Sequence, residues 1–349
     1  MRTIEGRSTV YNRLTNDERV ANINPENAQL CKDFLDYLSS VDRSPKTIQQ
    51  YYYDLRIFCV FVAEQLGNKE FTKITKRELV RFQSYCLNDL KWSPRRMMRV
   101  KSAVSSMSNF IENILSDDDD IYADYKSIVK KIESPVNEPV REKTVMTDGQ
   151  LELLLNTLVE RKEYQKAVCA AILAYSGMRK AELLQMKMEY FEPDHLEFGS
   201  IYITDKVRAK GRGVRGKQIH KYILNKVDPY MDLWRKERAE LGIESEWVFV
   251  TKSLDGTWHK RAYVENWKPE FSEIIGAPYY FHMNRHYCCT KMISDYNLPS
   301  EIVKEWQGWQ DIGLISTYND STAYDSFGKY FTSDGIVHQE EKTLTDITQ

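Results

Sequence analysis

Residues 282–286 read His-Met-Asn-Arg-His, and this stretch says more about the fold than any other part of the chain. His282 and Arg285 are three positions apart, which places both on one face of a helix. Residues 176–183 read Ser-Gly-Met-Arg-Lys-Ala-Glu-Leu and put Arg179 directly after a helix–turn signal. Two separated arginines and a histidine suit a phosphoryl group, because each guanidinium is a planar fork of donors that matches phosphate oxygens and stays charged.

A third stretch completes this pattern. Residues 307–309 read Gln-Gly-Trp, and Tyr318 follows Trp309 by nine positions. In this order the three stretches resemble the boxes of the tyrosine recombinase (phage integrase) family: Arg-x-x-Glu-Leu, His-x-x-Arg-His, and Gly-His with a tyrosine nine positions on. The chain departs from the commonest pattern at Trp309, where a second histidine usually stands and where some members of the family have tryptophan.

The resemblance implies covalent DNA strand cleavage that needs neither ATP nor a metal, so we expect no cofactor. By resemblance, Tyr318 attacks the scissile phosphate and forms a 3′-phosphotyrosyl bond, which conserves the energy of the phosphodiester. A phenol with an ordinary pKa of about 10 needs a proton acceptor, and the resemblance gives this role to His282. The catalytic residues implied are Arg179, Lys210, His282, Arg285, Trp309 and Tyr318.

The resemblance also implies the remaining roles. Arg179 and Arg285 would clamp the non-bridging oxygens, and Lys210, in the turn Ala-Lys-Gly-Arg-Gly, would protonate the leaving 5′-oxygen. Trp309 cannot act as a base, but its indole N–H can donate to the phosphate and its ring can buttress the nucleophile. Glu182 would orient Arg179 rather than react.

Two of these assignments have rivals in the sequence. Tyr324 and Tyr330 also lie near the C-terminus, but neither has the family's spacing from the Gly-Trp pair. Lys206 and Lys217 belong to the same predicted hairpin as Lys210 and compete with it for the role of general acid.

The sequence indicates neither a metal site nor a disulfide. His282 and His286 are four positions apart, but no Glu follows His282 as in the zinc-binding pattern His-Glu-x-x-His. We interpret His286 as structural, because it lies one turn beyond His282 and outside the roles in the cleft. The six cysteines form no Cys-x-x-Cys pair and have apolar or aromatic neighbours, which predicts buried thiols in a reducing cytoplasm. The chain has no apolar run of transmembrane length and no secretory signal, which also favours the cytoplasm and no membrane partner.

The first part of the chain has the pattern of a helical bundle. Ser-Pro pairs at 44–45 and 93–94 mark two helix starts, with serine at the cap and proline in the first turn. Thr75 and Glu78 predict a capping box for another helix. An apolar stripe at helical spacing follows the first Ser-Pro pair: Tyr51, Leu55, Phe58 and Val62. Residues 26–116 therefore predict a bundle of roughly four helices.

The second part predicts a mixed domain. Thr147-Asp148 caps a leucine-rich helix, and β-rich runs at 199–211 and 217–224 flank a Gly-rich turn, which is typical of a hairpin. Further helices are predicted at 163–175, 179–189, 226–241, 281–295 and 299–308. The predicted fold class is mostly α with a small β-hairpin or sheet.

The resemblance implies the two-domain tyrosine recombinase fold, with a helical core-binding domain and a mixed α/β catalytic domain. The predicted segments are an N-terminal arm at 1–25, a core-binding domain at 26–116, a linker at 117–145, a catalytic domain at 146–330 and a C-terminal tail at 331–349. The tail either docks on a neighbouring subunit or is disordered.

Net charge alone argues against a nucleic-acid partner, since the 349 residues sum to only −2. The charge is not uniform, however. The net charge is +7 in each of two windows, 71–110 and 201–226. The rest of the chain therefore has a net charge of −16, because −2 minus 14 is −16. Two basic segments, one in each predicted domain, favour a grip on duplex phosphates from two sides over the alternative of solvated faces.

Two predicted helix starts and the hairpin hold the residues that we expect to contact DNA: Lys46, Thr47, Gln50, Arg95, Arg96, Arg99, Lys101, Arg208, Arg212, Arg215 and Lys217. The resemblance implies double-stranded DNA with a specific recombination site as the substrate and a homotetramer on that DNA. An excisionase or a host DNA-bending protein is a candidate accessory partner.

The leading hypothesis is site-specific strand exchange by an integrase or transposase of a mobile element or phage. The predicted 25-residue arm is too short for a separate arm-binding domain, which favours a simple enzyme of this kind over a large two-site phage integrase. Two alternatives stay open at this point. One is a type IB topoisomerase-like enzyme that uses the same pocket without pairing two sites, and the other is a DNA-binding protein that has lost catalysis.

Overall fold

The computed structural model of the chain is mostly helical and has four small antiparallel sheets in the part that it describes. The residues described are 13–118, 120–136, 146–209, 211 and 216–319, with the backbone of 331–332 and 335–336. Those up to 319 fall into two compact units, 13–136 and 146–319. The predicted fold class is confirmed. Residues 1–12 of the predicted arm, 137–145 of the predicted linker and most of the predicted tail lie outside the described residues.

The first unit consists of helices whose starts are capped by short polar side chains. Asn24, Ser44, Thr75 and Ser93 each accept a hydrogen bond from a backbone N–H in the first turn that follows. The helices are α1 Asp17–Ala21, α2 Pro25–Ser40, α3 Pro45–Gln65, α4 Lys76–Ser84, α5 Pro94–Phe110 and α6 Ser116–Asp118. π-helical turns extend α4 and α5, and 3₁₀ turns lie between helices: Tyr85–Asp89, Ile111–Leu115, Phe71–Lys73 and Val129–Lys131.

Aromatic and aliphatic side chains from α2 to α5 form the core of this unit. Phe58 packs edge-on against Phe71 and Phe82, with ring centroids 5.9 and 4.9 Å apart. Val100 and Met107 of α5 are fully buried. Burying a side chain of this size contributes about 1.5–3 kcal/mol, so packing of the apolar faces, more than helix propensity, holds the helices together.

Part of the predicted linker packs on the first unit. Val129 is buried in its core, and Oη of Tyr125 lies 2.6 Å from Oγ of Ser108 on α5. The Lys101 ammonium of α5 also donates to the carbonyl of Ile132. The sequence did not indicate this packing, because the apolar residues of this Asp- and Pro-rich stretch follow neither a helical nor a strand period.

The second unit surrounds α8, an apolar helix in which every residue from 167 to 174 is buried. Its helices are α7 Asp148–Glu160, α8 Tyr164–Ser176, α9 Lys180–Leu183, α10 Asp228–Glu240, α11 Lys268–Ile275, α12 Met283–Thr290, α13 Ser300–Gln307 and α14 Ile315–Tyr318. A π-helical turn extends α12, and shorter 3₁₀ turns join the elements: Lys291–Asp295, Met188–Phe191, Pro193–His195, Asn225–Val227, Glu265–Trp267 and Ile312–Leu314.

The predicted hairpin is present and consists of two antiparallel segments. Strand β2 pairs with β5 and with a short strand β1, and β3 pairs with β4. Two further hairpins, β6 with β7 and β8 with β9, are separate sheets. The strands are β1 Leu196–Glu197, β2 Ile201–Ile203, β3 Val207–Ala209, β4 Lys217–Ile219, β5 Tyr222–Leu224, β6 Val250–Lys252, β7 Trp258–Lys260, β8 Phe331–Thr332 and β9 Gly335–Ile336.

One predicted helix of the second unit is wrong in length. The helix expected at 179–189 ends at Leu183. Beyond it the backbone bonds to another segment, since Val248 N–H donates to the Met186 carbonyl at 3.0 Å and Met188 N–H to the Glu246 carbonyl at 2.8 Å. Helix α11 and the β6–β7 hairpin were not predicted, because elements this short give too little periodic pattern.

All six cysteines are free thiols. Five of them are buried, as the sequence predicted, and Cys31 is only half-buried. Among the helices of the described residues, none is long and apolar enough to cross a membrane.

A buried amide in α2 gives a test of this packing. Oδ1 of Asn27 accepts from Phe71 N–H at 2.7 Å, and Nδ2 donates to the Lys69 carbonyl at 2.9 Å. Asn27→Ala removes the partners of the N–H of the buried Phe71 and of the carbonyl of the half-buried Lys69, so we expect it to lower the free energy of unfolding by about 2–4 kcal/mol. The control Gln29→Ala, on the exposed face of α2, should change it by less than about 0.5 kcal/mol. Urea denaturation followed by circular dichroism measures both, and equal effects would contradict the role of Asn27.

Candidate active site

Arg179 stands directly before the short helix α9 and is bound there by one carboxylate. Its backbone N–H donates to Oε2 of Glu182 at 2.9 Å, and its Nη1 donates to Oε1 at 2.9 Å. The Glu182 side chain is 1% exposed, whereas that of Arg179 is 29% exposed. The carboxylate therefore fixes the guanidinium from the protein interior and leaves part of it open to solvent.

Two glycines in the left-handed region let the elements of the site approach closely. Gly177 ends α8 with a φ of +63°, and a Cβ at this position would lie 2.4 Å from the Gln307 amide. Gly308 ends α13 with a φ of +67°, and a Cβ there would lie 2.7 Å from Cδ1 of Ile219 on β4. A side chain at either position would be strained and would push the neighbouring element away.

Arg285 is fully buried on α12. Its Nη1 donates to the Gly177 carbonyl at 2.9 Å, and its Nη2 donates to the Gln307 carbonyl at 2.8 Å. Both carbonyls belong to the C-terminal ends of helices, where the helix dipole favours a positive charge. Among the described residues, the Nε–H of Arg285 has no hydrogen-bond partner, so a donor remains for an anion.

His282 and Tyr318 lie within hydrogen-bond distance of each other. Nε2 of His282 is 2.9 Å from Oη of Tyr318. The Trp309 ring stacks on the Tyr318 ring at 5.1 Å, and the guanidinium carbon of Arg285 lies 5.4 Å from the centre of the same ring. The His286 ring, which we had interpreted as structural and outside the cleft, is 4.9 Å from that of Tyr318, so it is a direct neighbour of the candidate nucleophile.

Trp309 is 5% exposed, and the one polar atom of its side chain is the indole nitrogen. Its Nε1–H has no hydrogen-bond partner among the residues that the structure describes. The guanidinium carbon of Arg285 lies 5.3 Å from the indole ring. The ring thus packs on both the candidate nucleophile and a candidate phosphate ligand, and its N–H is available to an acceptor.

Desolvation and positive charge control the proton on His282. Part of this residue is open to solvent, but loss of water around the imidazole, followed by the charges of Arg285 and His286, lowers the pKa of His282 to about 4. The imidazole is therefore neutral near pH 7, and one ring nitrogen can accept a proton. Burial lowers the pKa of Arg285 to about 10, which leaves its guanidinium charged at that pH.

The predicted hairpin residues divide into two groups. Arg208 is exposed on β3, and Nζ of Lys217 on β4 lies 3.4 Å from the Gly308 carbonyl, beside the Trp309 segment. Lys210, Arg212 and Arg215 lie outside the described residues.

The residues of the first unit that were predicted to contact DNA differ in their exposure and in their contacts within the protein. Lys46 and Arg95 are exposed. Arg99 forms an ion pair at 3.0 Å with Asp54, which is buried. The Lys101 ammonium donates to a backbone carbonyl and to a serine hydroxyl.

The three other candidates in this unit also have partners. Oγ1 of Thr47 is 2.8 Å from the cap Ser44, and Gln50 hydrogen-bonds to Asp54. The Arg96 guanidinium lies 4.1 Å from the centre of a tryptophan ring. The exposed lysine and arginine at the two helix starts are thus the freest cations among these residues.

One lysine of the basic window 201–226 is buried and not on the surface. Lys221 was counted among the basic residues of the hairpin window, but its side chain is fully buried, with Nζ 3.5 Å from Oε2 of Glu182. A signal for this burial does exist in the sequence. Because side chains alternate along a strand, Lys221 points to the same face as Ile223, which is buried.

The low pKa of His282 can be tested on the protein without DNA. We expect the imidazole to titrate near pH 4, because loss of water and then the positive neighbours disfavour its protonated form, and to stay neutral down to about pH 5. A pH series of ¹H–¹³C NMR spectra measures the midpoint, and His282→Gln identifies the signal by removing it. A midpoint at or above the ordinary value of about 6.5 would contradict the electrostatics of the site.

Two sequence profiles of one protein family match this chain. The sequence profile described as Phage integrase family matches residues 144–324, and that described as Phage integrase, N-terminal SAM-like domain matches residues 30–120. The first match contains all six candidate catalytic residues.

Two relatives match over most of their length. The chain is 29% identical over 289 residues to the SPbeta prophage-derived recombinase-like protein YomM of Bacillus subtilis (strain 168), covering 81% of this chain and 84% of that protein. It is 20% identical over 311 residues to tyrosine recombinase XerC of Caldanaerobacter subterraneus subsp. tengcongensis, covering 83% and 82%.

Solved structures share the fold. The XerH site-specific recombinase in a post-cleavage complex with palindromic difH substrate matches with a TM-score of 0.60 and 18% identity, covering 87% of this chain and 83% of that chain. A lambda integrase dimer bound to a COC′ core site matches with a TM-score of 0.58 and 12% identity, covering 85% and 96%. Because the integrase profile spans half of the chain and the fold is the same, this chain belongs to the phage integrase family, the tyrosine recombinases.

Proposed function

We propose that this protein is a site-specific DNA recombinase that cleaves and rejoins strands through a covalent bond between Tyr318 and a 3′-phosphate. In this reaction Oη of Tyr318 bonds to phosphorus, the bond from phosphorus to the 5′-oxygen breaks, and a 5′-hydroxyl leaves. Attack by the 5′-hydroxyl of another strand reverses these steps and releases the tyrosine. The phosphotyrosyl bond keeps the energy of the phosphodiester for rejoining.

The observation that carries this proposal is the 2.9 Å contact between Nε2 of His282 and Oη of Tyr318. A tyrosine hydroxyl with an ordinary pKa of about 10 is a weak nucleophile at neutral pH unless a neighbouring group takes its proton. His282 can take this role, since its pKa of about 4 leaves a ring nitrogen unprotonated at neutral pH. The proton of the attacking hydroxyl would therefore move to His282.

Two arginines would stabilise the charge that develops on the phosphate. Arg179 is partly exposed and already oriented by Glu182. Arg285 is buried but keeps a free Nε–H beside the Tyr318 ring. Fixed donors of this kind, aimed at a developing charge in a site with little water, are worth more than the same donors in water.

Two further groups complete the proposed chemistry. The Nε1–H of Trp309 would donate to a non-bridging oxygen while the indole supports the nucleophile. The leaving 5′-oxygen needs a proton, and the family resemblance assigns its delivery to Lys210.

The proposed partner is double-stranded DNA with a specific site. The exposed Lys46, Arg95 and Arg208 would contact its phosphates. By family resemblance, the working form is a homotetramer on two sites. The prophage-derived relative supports a phage or another mobile element as the carrier of this recombinase.

The nucleophile can be tested with trapped covalent intermediates. Duplexes selected by the protein from a random library are resynthesised with a nick close to the cleavage position, so that a short 5′-hydroxyl fragment diffuses away. We expect wild-type protein to form an adduct that survives denaturing electrophoresis, and Tyr318→Phe to bind the duplex but form none. Tyr324→Phe serves as the matched control and should form the adduct.

Other outcomes would count against this proposal. An adduct with Tyr318→Phe would show that the nucleophile is wrong, and binding by wild-type protein without any adduct would favour a DNA-binding protein without catalysis. Recombinant products from two selected sites are expected. Relaxation of any supercoiled plasmid without joined products would instead favour a topoisomerase-like enzyme.

The indole N–H of Trp309 gives a sharper prediction. Trp309→Phe keeps an aromatic ring beside Tyr318 but removes the donor, and we expect adduct formation to slow by about 10²-fold, as for the loss of one fixed donor to a transition state. Trp309→His restores a ring N–H and should recover part of this loss. Single-turnover rates on the nicked duplex measure both, and equal rates for the two variants would contradict the donor role.

A further inference from the structure

The second unit buries one lysine completely. Lys221 directly precedes β5, and its side chain has no exposed surface. Thr204 fixes its backbone, because Lys221 N–H donates to Oγ1 of Thr204 at 3.0 Å and Thr204 N–H donates to the Lys221 carbonyl at 3.0 Å. The hairpin therefore holds this ammonium inside the protein, where it cannot reach DNA.

The ammonium lies between two elements that carry candidate catalytic residues. Nζ of Lys221 is 3.5 Å from Oε2 of Glu182 on α9 and 3.5 Å from the carbonyl of Trp306 on α13. Glu182 in turn binds Arg179 through both carboxylate oxygens. Trp306 stands one helical turn before Trp309. Lys221 thus contacts the support of Arg179 and the helix that leads to Trp309.

The charges explain why a lysine is useful at this position. Burial alone would raise the pKa of Glu182, but the charge of Lys221 and the contacts with Arg179 outweigh it, and the pKa of Glu182 stays below its ordinary value. A buried carboxylate with too few positive partners is costly. Without Lys221 the charge of Glu182 would cancel that of Arg179, whereas with Lys221 the group of three keeps a net positive charge.

We propose that Lys221 is a positioning residue for strand cleavage, which keeps Glu182 ionised and bound to Arg179 so that Arg179 presents its charge to the scissile phosphate. The inference rests on the proposed function, because it concerns the reaction at Tyr318. Lys221 itself touches no DNA and acts through Glu182.

The role of Lys221 depends on its proton. Burial is the largest effect on this group and lowers the pKa of Lys221 to about 8. Glu182 opposes this shift, while Arg285 and Arg179 add to it. Cys288 on α12 also faces the ammonium, and burial raises the pKa of this thiol to about 12, so it stays neutral. Lys221 is therefore charged below about pH 8 and loses its effect as the pH rises through that value.

A double-mutant cycle tests the proposal with the nicked duplex described above. At pH 7 we expect Lys221→Met to slow adduct formation by about 30-fold or more, within the range of effects at preorganised charges, while the Kd for the duplex changes by less than about threefold. A Glu182→Gln protein has no carboxylate for the Lys221 charge to stabilise, so in this protein Lys221→Met should change the rate of adduct formation by less than about threefold. Lys226→Met, at an exposed lysine in the 3₁₀ turn that follows β5, is the matched control and should keep the wild-type rate.

The pH profile separates a charge role from a purely structural one. With Lys221→Arg the positive charge persists at every pH in the range, since the guanidinium stays protonated. We expect the adduct rate of wild-type protein to fall above about pH 8, in line with the lowered pKa of Lys221, and that of Lys221→Arg to show no such fall.

The outcomes distinguish this inference from the proposed function. Wild-type protein that forms no adduct on any selected duplex overturns the proposed function. Suppose that wild-type protein forms the adduct. The inference about Lys221 is then wrong if Lys221→Met forms the adduct equally fast. It is also wrong if Lys221→Met slows adduct formation by the same factor in the wild-type and in the Glu182→Gln protein. If the Tm shows that Lys221→Met does not fold, the profile of Lys221→Arg decides, and an alkaline fall equal to that of wild type overturns the inference.

Discussion

The buried guanidinium of Arg285 joins the parts of the candidate site. It donates to the carbonyls of Gly177 and Gln307, so three stretches that are far apart in the sequence meet on one side chain. The last carbonyls of a helix have no partner within that helix, and a buried cation needs acceptors, so each group satisfies the other. These two hydrogen bonds help to fix the candidate residues nearby, since Arg179 lies two residues after Gly177 and Trp309 lies two residues after Gln307. Arg285 is therefore a structural residue of the second unit as well as a candidate phosphate ligand.

Much of the local structure could be predicted from the sequence. Ser44, Thr75 and Ser93 cap helices at the predicted starts, because capping involves only residues a few positions apart. The spacing of His282 and Arg285 predicted one helix face, and the structure places Arg285 on α12 and His282 directly before its first residue. The resemblance of the boxes added the residues that lie far apart in the chain, and the structure brings the described ones together. Features that depend on the spacing of residues along the chain, such as helix caps and site motifs, can thus be predicted from the sequence.

Contacts between segments that are distant in the sequence could not be predicted in this way. The predicted helix at 179–189 ends at Leu183 because its next backbone groups bond to residues 246–248, and no local pattern shows that competition. The positions of two charged residues were also predicted wrongly. Lys221 and Lys101 looked like surface cations in basic windows, yet one ammonium is held by Glu182 and the other by a backbone carbonyl. A count of charges in a window cannot separate cations that neutralise the interior from cations that face a partner.

The position of a few buried charges therefore matters more here than the net charge of −2. Loss of water lowers the pKa of His282 most, and the charges of Arg285, His286 and Arg179 lower it further. In the proposed reaction Arg285 and Arg179 also attract the scissile phosphate. A phosphate held between them would offset their field at the imidazole, which would make His282 a stronger base when Tyr318 must lose its proton. An empty site would keep the base weak, and a filled site would activate it. On this argument, the charge of the substrate itself helps to activate the nucleophile.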